Sequence, residues 1–461
     1  MMELVDRLIK AYDIRGLVDS ELTPDFAFSA GVAFAAFLEM KREPGTVIIG
    51  EDMRPSSPQL AQAFTDGLTS QSFDVIRIGL AATDQLYFAS GNKGLPGAMF
   101  TASHNPAEYN GIKLCLSGAR PIGEDSGLSW IRESIRRGAA MAIRNSGTVK
   151  NISMLQDYVQ FLLSLFPSNS FKRDFRGKPI TIAIDAGNGM GGYTAPAVIA
   201  ELNAKLLPLY FELDGTFPNH EANPIDSKNL KELQSLVRKK KADIGLAFDG
   251  DADRCFLVDE TGEIISPSAL TALIAVRELE NNPGATIIHN LICSKIVPET
   301  ITAHGGKPLR SRVGHSFIKS LMADSGAAFG GEHSGHFYFR DFWRADSGML
   351  AALHAIAALL DAQKPLSKVL APYQKYAMSG ELNTKVKNQE SAIAMVKSHF
   401  QENLEVVDFD HLDGLTITSN TWWLNLRPSN TEPLLRLNVE AETDRAVQSL
   451  VAEVLDILKK Q

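Results

Sequence analysis

Three stretches of the chain repeat one order of apolar and polar positions. Each begins with a β-branched apolar run, passes through a turn of small or polar residues, and continues with helical periodicity. The stretches begin at Thr46, Ile180 and Thr286. Continuous apolar strands that alternate with helices are typical of mostly parallel sheets with both faces covered. The pattern therefore predicts repeated α/β units and an α/β fold class.

The pattern changes after residue 370. Three strand-like segments, LNTKVKN, LTITSNTWWLNLRPS and LLRLNVEAET, precede the amphipathic stretch AVQSLVAEVLDILKK. These segments predict a separate, smaller α+β domain. Polar or Gly/Pro-bearing stretches mark the boundaries between domains. We place four domains, at 1–149, 150–258, 259–370 and 371–461.

Composition excludes several classes of protein. With 461 residues, 44% hydrophobic and 22% charged, the chain has the balance of a soluble protein of several domains. No segment reaches the ~18–20 uninterrupted apolar residues of a membrane span, and the start lacks the apolar block of a secretory signal. A net charge of −8 disfavours a nucleic-acid-binding face. The three cysteines match no zinc or disulfide pattern. We therefore expect a cytoplasmic protein without membrane or nucleic-acid partners.

Three aspartates follow the apolar run at 244–248. On an extended backbone Asp249, Asp251 and Asp253 face the same way, so their carboxylates converge. Oxygen ligands suit a hard divalent cation such as Mg²⁺, which usually completes its shell with phosphate or water oxygens. An acidic loop and a calcium site are the alternatives, although an EF-hand would need further ligands and flanking helices. The cluster predicts a divalent-metal site.

A second polar turn, at 101–106, follows another apolar run. A hydroxyl such as that of Ser103 needs activation before it can act as a nucleophile. His104 and Lys113 can supply proton transfer and positive charge. By itself the segment is better explained by a turn in which Ser103 and Asn105 bond the backbone.

The loop at 330–336 is dense in polar side chains, as binding loops often are. Glu332 and Ser334 can bond adjacent sugar hydroxyls, because a carboxylate accepts two bonds and a hydroxyl both donates and accepts. A polar turn is one alternative. A zinc site formed by His333 and His336 is another, but it would lack Cys partners.

The loop at 427–433 has the composition of a phosphate cradle. The guanidinium of Arg427 provides a fork for a phosphate, with Arg436 a short distance beyond. The remaining hydrogen bonds can come from loop amides and from three side chains, those of Ser429, Asn430 and Thr431. A plain hairpin loop is the alternative.

The glycines at 187–192 formally satisfy a dinucleotide-binding pattern, with acidic residues twenty-odd positions later. They serve equally well to turn a strand tightly into a helix. A NAD site would also leave the aspartates, the Ser103 turn and the Arg427 loop without roles.

Five motifs together carry a family resemblance: YDIRG at 12–16, TASHNP at 101–106, DGDADR at 249–254, GEHSGH at 331–336 and RPSNTEP at 427–433. In this order they resemble the α-D-phosphohexomutase family, most closely its bacterial phosphomannomutase/phosphoglucomutase group. The similarity spans essentially the whole chain.

The resemblance implies three α/β domains of shared topology and a C-terminal α+β domain around a central cleft. It implies a phosphoserine domain, a metal-binding domain, a sugar-recognition domain and a C-terminal phosphate-binding domain, in chain order. Ser103 would carry the phosphoryl group, His104 and Lys113 would assist, and Mg²⁺ would be held by Ser103, Asp249, Asp251 and Asp253. The substrate contacts it implies are Tyr12, Arg15, Arg254, His315, Glu332, Ser334, Arg427, Ser429, Asn430 and Thr431.

The reaction implied is interconversion of hexose 1-phosphate and hexose 6-phosphate, of mannose and/or glucose, through a hexose 1,6-bisphosphate. A phosphoglucosamine mutase, a magnesium-dependent sugar phosphatase and a non-enzymatic sugar-phosphate sensor are the alternatives. We expect a monomer or homodimer. The sequence departs from the family pattern at two places, and both departures remove a positive charge. Ser316 stands where many relatives have Lys, and the segment 290–292 lacks the cationic residue that relatives often carry there. Lys295 or Arg310 could compensate.

Overall fold

Four sheets follow one another along the chain. The computed structural model describes residues 2–9, 12–138, 145–402, 405–428 and 434–460. The first sheet and its helices comprise α1 (Met2–Leu8), β1 (Ile14–Leu17), α2 (Pro24–Lys41), β2 (Thr46–Glu51), α3 (Ser57–Ser70), β3 (Asp74–Leu80), α4 (Thr83–Lys93), β4 (Gly97–Phe100), β5 (Tyr109–Leu116), β6 (Arg120–Pro121), α5 (Leu128–Arg136) and β7 (Val149–Asn151).

The second and third units are built from shorter sets of elements. The second contains α6 (Leu155–Ser164), β8 (Ile180–Asp185), α7 (Gly191–Ile199), β9 (Ala204–Leu209), α8 (Lys231–Lys240), β10 (Ile244–Phe248), β11 (Cys255–Val258) and β12 (Ile264–Ile265). The third contains α9 (Pro267–Asn281), β13 (Thr286–Asn290), α10 (Ile296–Ala303), β14 (Lys307–Ser311), α11 (His315–Ser325), β15 (Phe329–Gly331), β16 (Phe337–Phe339), β17 (Ala345–Asp346), α12 (Gly348–Ala362) and α13 (Leu366–Leu370).

These three units share one topology. Their central strands lie in the orders β5-β4-β2-β3, β11-β10-β8-β9 and β16-β15-β13-β14. Of these four central strands in each unit, the first three along the chain are parallel, and the fourth returns antiparallel to the third. The parallel strands are joined by helices, as such connections require. The repeated apolar pattern of the sequence is therefore a repeated fold, and the predicted α/β class is confirmed.

The C-terminal unit differs, as its alternating sequence predicted. It contains β18 (Ala377–Lys385), α14 (Gln389–Gln401), β19 (Val406–Asp410), β20 (Leu415–Ser419), β21 (Trp422–Pro428), β22 (Leu434–Ala441) and α15 (Asp444–Leu458). Its five strands pair antiparallel in the order β18-β22-β21-β20-β19. One face of the sheet packs on the buried side chains of α14 and α15. The unit is an α+β domain.

The largest hydrophobic core is continuous from the first unit to the third. It includes strand residues such as Ile182 and Ile287 as well as Tyr158 and Met349 on helices. The predicted domain boundaries stay predictions, and the first of them cuts β7, which pairs with β3 of the first sheet. Within the described ranges, none of the helices combines the length and the apolar character needed to cross a membrane.

Candidate active site

Three of the five motifs occupy the same place in three units. In each unit the turn between the third and fourth strands carries polar chemistry: residues 101–108 in the first, 249–254 in the second and 332–336 in the third. Their backbones touch. A Cβ on Gly250 would lie 2.3 Å from the carbonyl oxygen of Ser103, and Cys255 N–H donates to Gly335 O at 3.2 Å. The fold thus brings together three loops, which we name after the roles predicted for them: the Ser103 loop (101–108), the metal loop (249–254) and the sugar loop (332–336).

Ser103 is held against the metal loop. Its Oγ donates to Asp249 Oδ2 at 2.7 Å and lies 3.3 Å from both Arg254 Nη2 and His104 Nδ1. The residue is buried, and its φ of 50° is in the left-handed region that non-glycine residues seldom adopt. Strained backbone at a buried polar side chain is typical of functional sites, where surrounding contacts impose the conformation.

Arg54 imposes much of that conformation. Its guanidinium donates to the carbonyl oxygens of Ser103, Asn105, Pro106 and Tyr109 at 2.7–2.9 Å. The side chain is fully buried, and its charge is balanced by Asp52, 3.3 Å from Nε. Sequence reasoning missed Arg54, because its partners begin 49 residues away and only the fold joins them.

The three aspartates converge as expected and are all buried. Lys113 Nζ bridges Asp251 and Asp253 at 2.7 Å each, and Thr83 Oγ1 donates to Asp251 at 2.6 Å. The Oδ1 atoms of Asp251 and Asp253 are buried and have no hydrogen-bond partner in the described part of the chain. Buried carboxylate oxygens without donors, in an oxygen-only cluster, fit a hard divalent cation such as Mg²⁺.

The charged groups of this cluster shift one another's pKa values. Burial raises the pKa of Asp249 to about 7, although Arg254 opposes the shift. Burial also acts to raise the pKa of Asp251, but the charges and hydrogen bonds of its neighbours, Lys113 first among them, together lower it. Burial acts to lower the pKa of Lys113, but the acidic groups around it, Asp251 first and then Asp253, together hold that pKa well above its usual value. The site therefore holds a firmly protonated lysine among carboxylates.

The pKa of His104 is lowered by the positive charge beside it. Arg254, followed by burial, holds the pKa of the His104 imidazole well below its usual range. Arg254 itself donates to Asp249 from Nε at 2.8 Å. The imidazole beside Ser103 is therefore neutral at about pH 7, and its part in proton transfer stays a prediction.

In the sugar loop, Glu332 is buried and rigidly held. It accepts hydrogen bonds from Asn290 Nδ2 at 3.1 Å, from Gly314 N–H at 3.3 Å and from the Tyr338 hydroxyl. Ser334 Oγ lies 3.0 Å from His336 Nδ1. Oε2 accepts the first two of these bonds and Oε1 accepts the third, so Oε1 retains a second acceptor position for a sugar hydroxyl.

His336 connects the sugar loop to the metal loop. Its Nε2 lies 3.6 Å from Asp253 Oδ1, and its backbone bridges that of Arg254. Sequence reasoning weighed His336 only as a zinc ligand, although its place beside Glu332 in the motif was a signal for a role in the sugar loop. Thr83 was also missed. Its signal was weaker, a polar residue shortly after the carboxyl end of β3.

The N-terminal motif lies beside the same loops. Arg15 donates to Asn105 Oδ1 at 2.7 Å and pairs with Asp13. Tyr12 packs edge-on against Phe317 of the third unit, with 6.1 Å between ring centroids. Burial raises the pKa of Tyr12, and further influences come from charges of the third and fourth units. Tyr12 thus lies where three units meet.

In the C-terminal unit, Arg427 is buried and its Nη2 donates to Glu381 Oε2 at 2.6 Å. The predicted contacts Ser429, Asn430 and Thr431 lie outside the described residues. His315 begins α11, and the structure describes its backbone. Neither cation suggested to compensate at 290–292 is free, because Lys295 Nζ donates to Asn420 O at 3.1 Å and Arg310 pairs with Asp410.

The glycine-rich turn at 187–192 supports the metal loop. Met190 N–H donates to Gly250 O at 2.8 Å, and a Cβ on Gly189 would lie 2.7 Å from the same oxygen. A Cβ on Gly192 would similarly lie 2.3 Å from the carbonyl oxygen of Phe211. Close backbone approach accounts for these glycines, so they need no dinucleotide to explain them.

Four family models match the chain in order. They describe the alpha/beta/alpha domains I, II and III of phosphoglucomutase/phosphomannomutase, at residues 6–141, 156–262 and 266–376, and its C-terminal domain, at 381–457. A phosphomannomutase of Vibrio cholerae is 38% identical over 465 residues, covering 98% of each chain. A Xanthomonas campestris protein named phosphohexose mutases is 37% identical over 453 residues, again covering 98% of each.

Solved structures give the same result. The crystal structure of a phosphoglucomutase/phosphomannomutase family protein from Burkholderia thailandensis superimposes with a TM-score of 0.89 at 29% identity. The superposition covers 100% of this chain and 98% of the other. Similarity therefore extends to all four units.

Proposed function

The chain belongs to the phosphoglucomutase/phosphomannomutase family, and from this premise we propose that it interconverts hexose 1-phosphate and hexose 6-phosphate of mannose and/or glucose. Ser103 would carry the transferred phosphoryl group, and a hexose 1,6-bisphosphate would be the intermediate. A sugar 1-phosphate, its 6-phosphate and the bisphosphate are thus the proposed small-molecule partners.

One observation supports this assignment above the others. Ser103 Oγ lies 2.7 Å from Asp249, a residue 146 positions away, at the point where the three motif loops meet. Phosphoryl transfer requires in-line positioning and neutralisation of charge on the transferring oxygens more than covalent chemistry from the protein. Arg254 and Lys113, both beside the carboxylates, supply fixed positive charge there.

The proposed step moves one phosphoryl group between two oxygens. The bond from phosphorus to Ser103 Oγ breaks as a bond to O6 of the hexose 1-phosphate forms, and the O6 proton leaves to a base such as His104. His104, 3.3 Å from Ser103 Oγ, would return a proton to the departing oxygen, which becomes the serine hydroxyl. Asp249, Asp251 and Asp253 would hold Mg²⁺, which when bound supplies Lewis-acid stabilisation of phosphoryl charge. Glu332 and Ser334 would orient the sugar, and Arg427 would bind the phosphate that does not react.

Return transfer completes the cycle. After the bisphosphate turns over, its other phosphate meets Ser103 and regenerates the phosphoserine. A phosphate-binding arginine can hold the bisphosphate in either of its two orientations, since it contacts the phosphate and not the sugar. Exclusion of water by the closed site would suppress hydrolysis of the phosphoserine.

The experiment measures isomerisation together with the mass of the intact protein. Purified protein is expected to carry one phosphoryl group that Ser103→Ala lacks, and Ser103→Ala should lose at least about 10³-fold in kcat with mannose or glucose 1-phosphate. Ser129→Ala, on the exposed side of α5, is the matched control. Near-normal turnover by Ser103→Ala would contradict the proposal. Stoichiometric release of free phosphate without the 6-phosphate would identify a phosphatase instead.

A further inference from the structure

Two arginines of the C-terminal sheet face each other and share one carboxylate. Arg427 on β21 is directly opposite Arg436 on β22. Like charges in this position destabilise a sheet unless an anion lies between them. Glu381 on β18 supplies the anion: Oε2 accepts from Arg427 Nη2 at 2.6 Å, and Oε1 accepts from Arg436 Nη1 at 3.1 Å. The trio therefore has two positive charges and one negative.

An irregularity in β18 places this carboxylate. The pairing of β18 with β22 shifts register between Met378 and Glu381, and such bulges re-aim side chains. Beyond the shift, Glu381 pairs with Asn438, two positions from Arg436. Residues two apart share a face of the sheet. Glu381, Arg436 and Arg427 thus form a row across three neighbouring strands.

The row retains capacity for a ligand. Arg427 Nε is buried and has no hydrogen-bond partner among the residues that the structure describes. A buried N–H without an acceptor is unfavourable until an acceptor arrives. The side chains of Glu381 and Arg436 are 29% and 37% exposed, so an anion can approach them from solvent.

The charge of the row reaches the sugar loop. Burial lowers the pKa of His333 to about 4, and the charge that opposes this shift is that of Glu381.

We propose that Glu381 is a positioning residue that sets the anion affinity of the pair Arg427 and Arg436, by orienting the two guanidinium groups and cancelling one of their two charges. The proposal rests on the function proposed above, in which Arg427 must hold a phosphate during transfer and release it when the bisphosphate turns over. Two unopposed arginines would bind a phosphate dianion more tightly and release it more slowly.

The test compares Glu381→Gln with Glu381→Asp. Gln removes the charge at nearly constant shape, whereas Asp keeps the charge and shortens the side chain. In Glu381→Gln the Kd for inorganic phosphate, measured by titration calorimetry on the full chain, should fall about tenfold, as expected for one unit charge at a partly exposed site. Its KM for hexose 1-phosphate should fall similarly and its kcat should decrease. Glu381→Asp should remain within about threefold of wild type in all three.

Two further variants sharpen the comparison. Glu390→Gln, exposed on α14 of the same unit, is the matched control and should leave the Kd for phosphate unchanged. The double variant Glu381→Gln/Arg436→Gln restores a single net positive charge and should return the Kd for phosphate toward the wild-type value.

Unchanged or weaker phosphate binding by Glu381→Gln would overturn the proposal, as would a loss in Glu381→Asp equal to that in Glu381→Gln. A lower KM with an unchanged kcat in Glu381→Gln would overturn the part of the proposal that concerns phosphate release. Because phosphate binding is measured without turnover, its result is independent of mutase activity. A wild-type protein without mutase activity would refute the proposed function alone.

Discussion

Arg54 acts on the site through the backbone of another residue. A guanidinium presents five N–H donors in a planar fork, and Arg54 uses this fork on four carbonyls of the Ser103 loop. An ammonium has three donors around one point and cannot reach all four. Those bonds hold the backbone on which Ser103 adopts its left-handed conformation. The position of Oγ therefore depends on a side chain that lies behind it.

Arg54→Lys keeps the charge beside Asp52 and removes the fork. We expect kcat to fall about 10–100-fold, because a displacement of ~1 Å at a reacting group has costs of that order, while KM changes by less than about threefold. Steady-state kinetics and the urea midpoint check this, with the exposed Arg120→Lys as control. A kcat equal to that of the control would refute the role of Arg54.

Single-residue roles were predictable from sequence where the partners are local. The aspartates at 249, 251 and 253 converge because alternate positions on an extended chain share a face. Arg54 and Glu381 have partners about 50 residues away in sequence. Nothing in their neighbourhoods distinguishes them from surface charges, so the fold alone reveals them.

At the scale of elements, the same hairpin carries the chemistry in three units. Apolar runs predicted the strands, and buried runs between helices predicted that they are parallel. The fourth, antiparallel strand of each unit was harder to predict, because β16 is only three residues long and β11 begins directly after the aspartate motif. The positions of the motif loops depend on this fourth strand, since each loop connects it to the strand before. The equivalence of the three motif loops could therefore be recognised only from the sheets.

The glycine turn between β8 and α7 supports one of these hairpins. A methyl group on Gly189 would press on the carbonyl oxygen of Gly250, and a Cβ on Gly250 would in turn lie 2.3 Å from the carbonyl oxygen of Ser103. We expect Gly189→Ala to cost about 1–3 kcal/mol of stability, as overpacking usually does. Because the displaced backbone belongs to the metal loop, kcat at limiting Mg²⁺ should fall by at least about tenfold.

Magnesium titrations of activity and thermal melts check this prediction. Gly45→Ala is the matched control, because a Cβ there would meet nothing within 4 Å and its backbone needs no left-handed φ. If Gly189→Ala behaves as Gly45→Ala does, the turn is not a support of the metal loop.

At the scale of the whole molecule, a buried carboxyl joins three units. Asp84 Oδ2, on α4, accepts hydrogen bonds from the Tyr158 hydroxyl of α6 at 2.7 Å and from Ser347 Oγ at 2.6 Å. Ser347 also caps α12 of the third unit. Sequence analysis did not predict this junction, because its members are at least 74 residues apart and each resembles an ordinary helix residue.

Burial raises the pKa of Asp84 to about 7, although both hydroxyls oppose the shift. In the unfolded chain the carboxyl returns to its ordinary pKa of 3.8. Between these values the folded state binds more protons than the unfolded state, so Asp84 favours folding below about pH 4 and loses that contribution as pH rises to about 7. The slope is at most about 1.4 kcal/mol per pH unit.

Asp84→Asn keeps an acceptor for both hydroxyls and cannot ionise. Relative to wild type, the variant should therefore become more stable as pH rises from about 5 to about 8, and the difference should level off above about 7. Thermal and urea midpoints measured across this range check the sign, with the exposed Asp125→Asn as control. Because the junction joins three units, the gain in stability of Asp84→Asn should appear in the unfolding transition in which these units come apart. Parallel pH profiles for wild type and Asp84→Asn would show that the carboxyl is ionised in the folded protein, and that the units are joined there by an anion and not by a neutral acid.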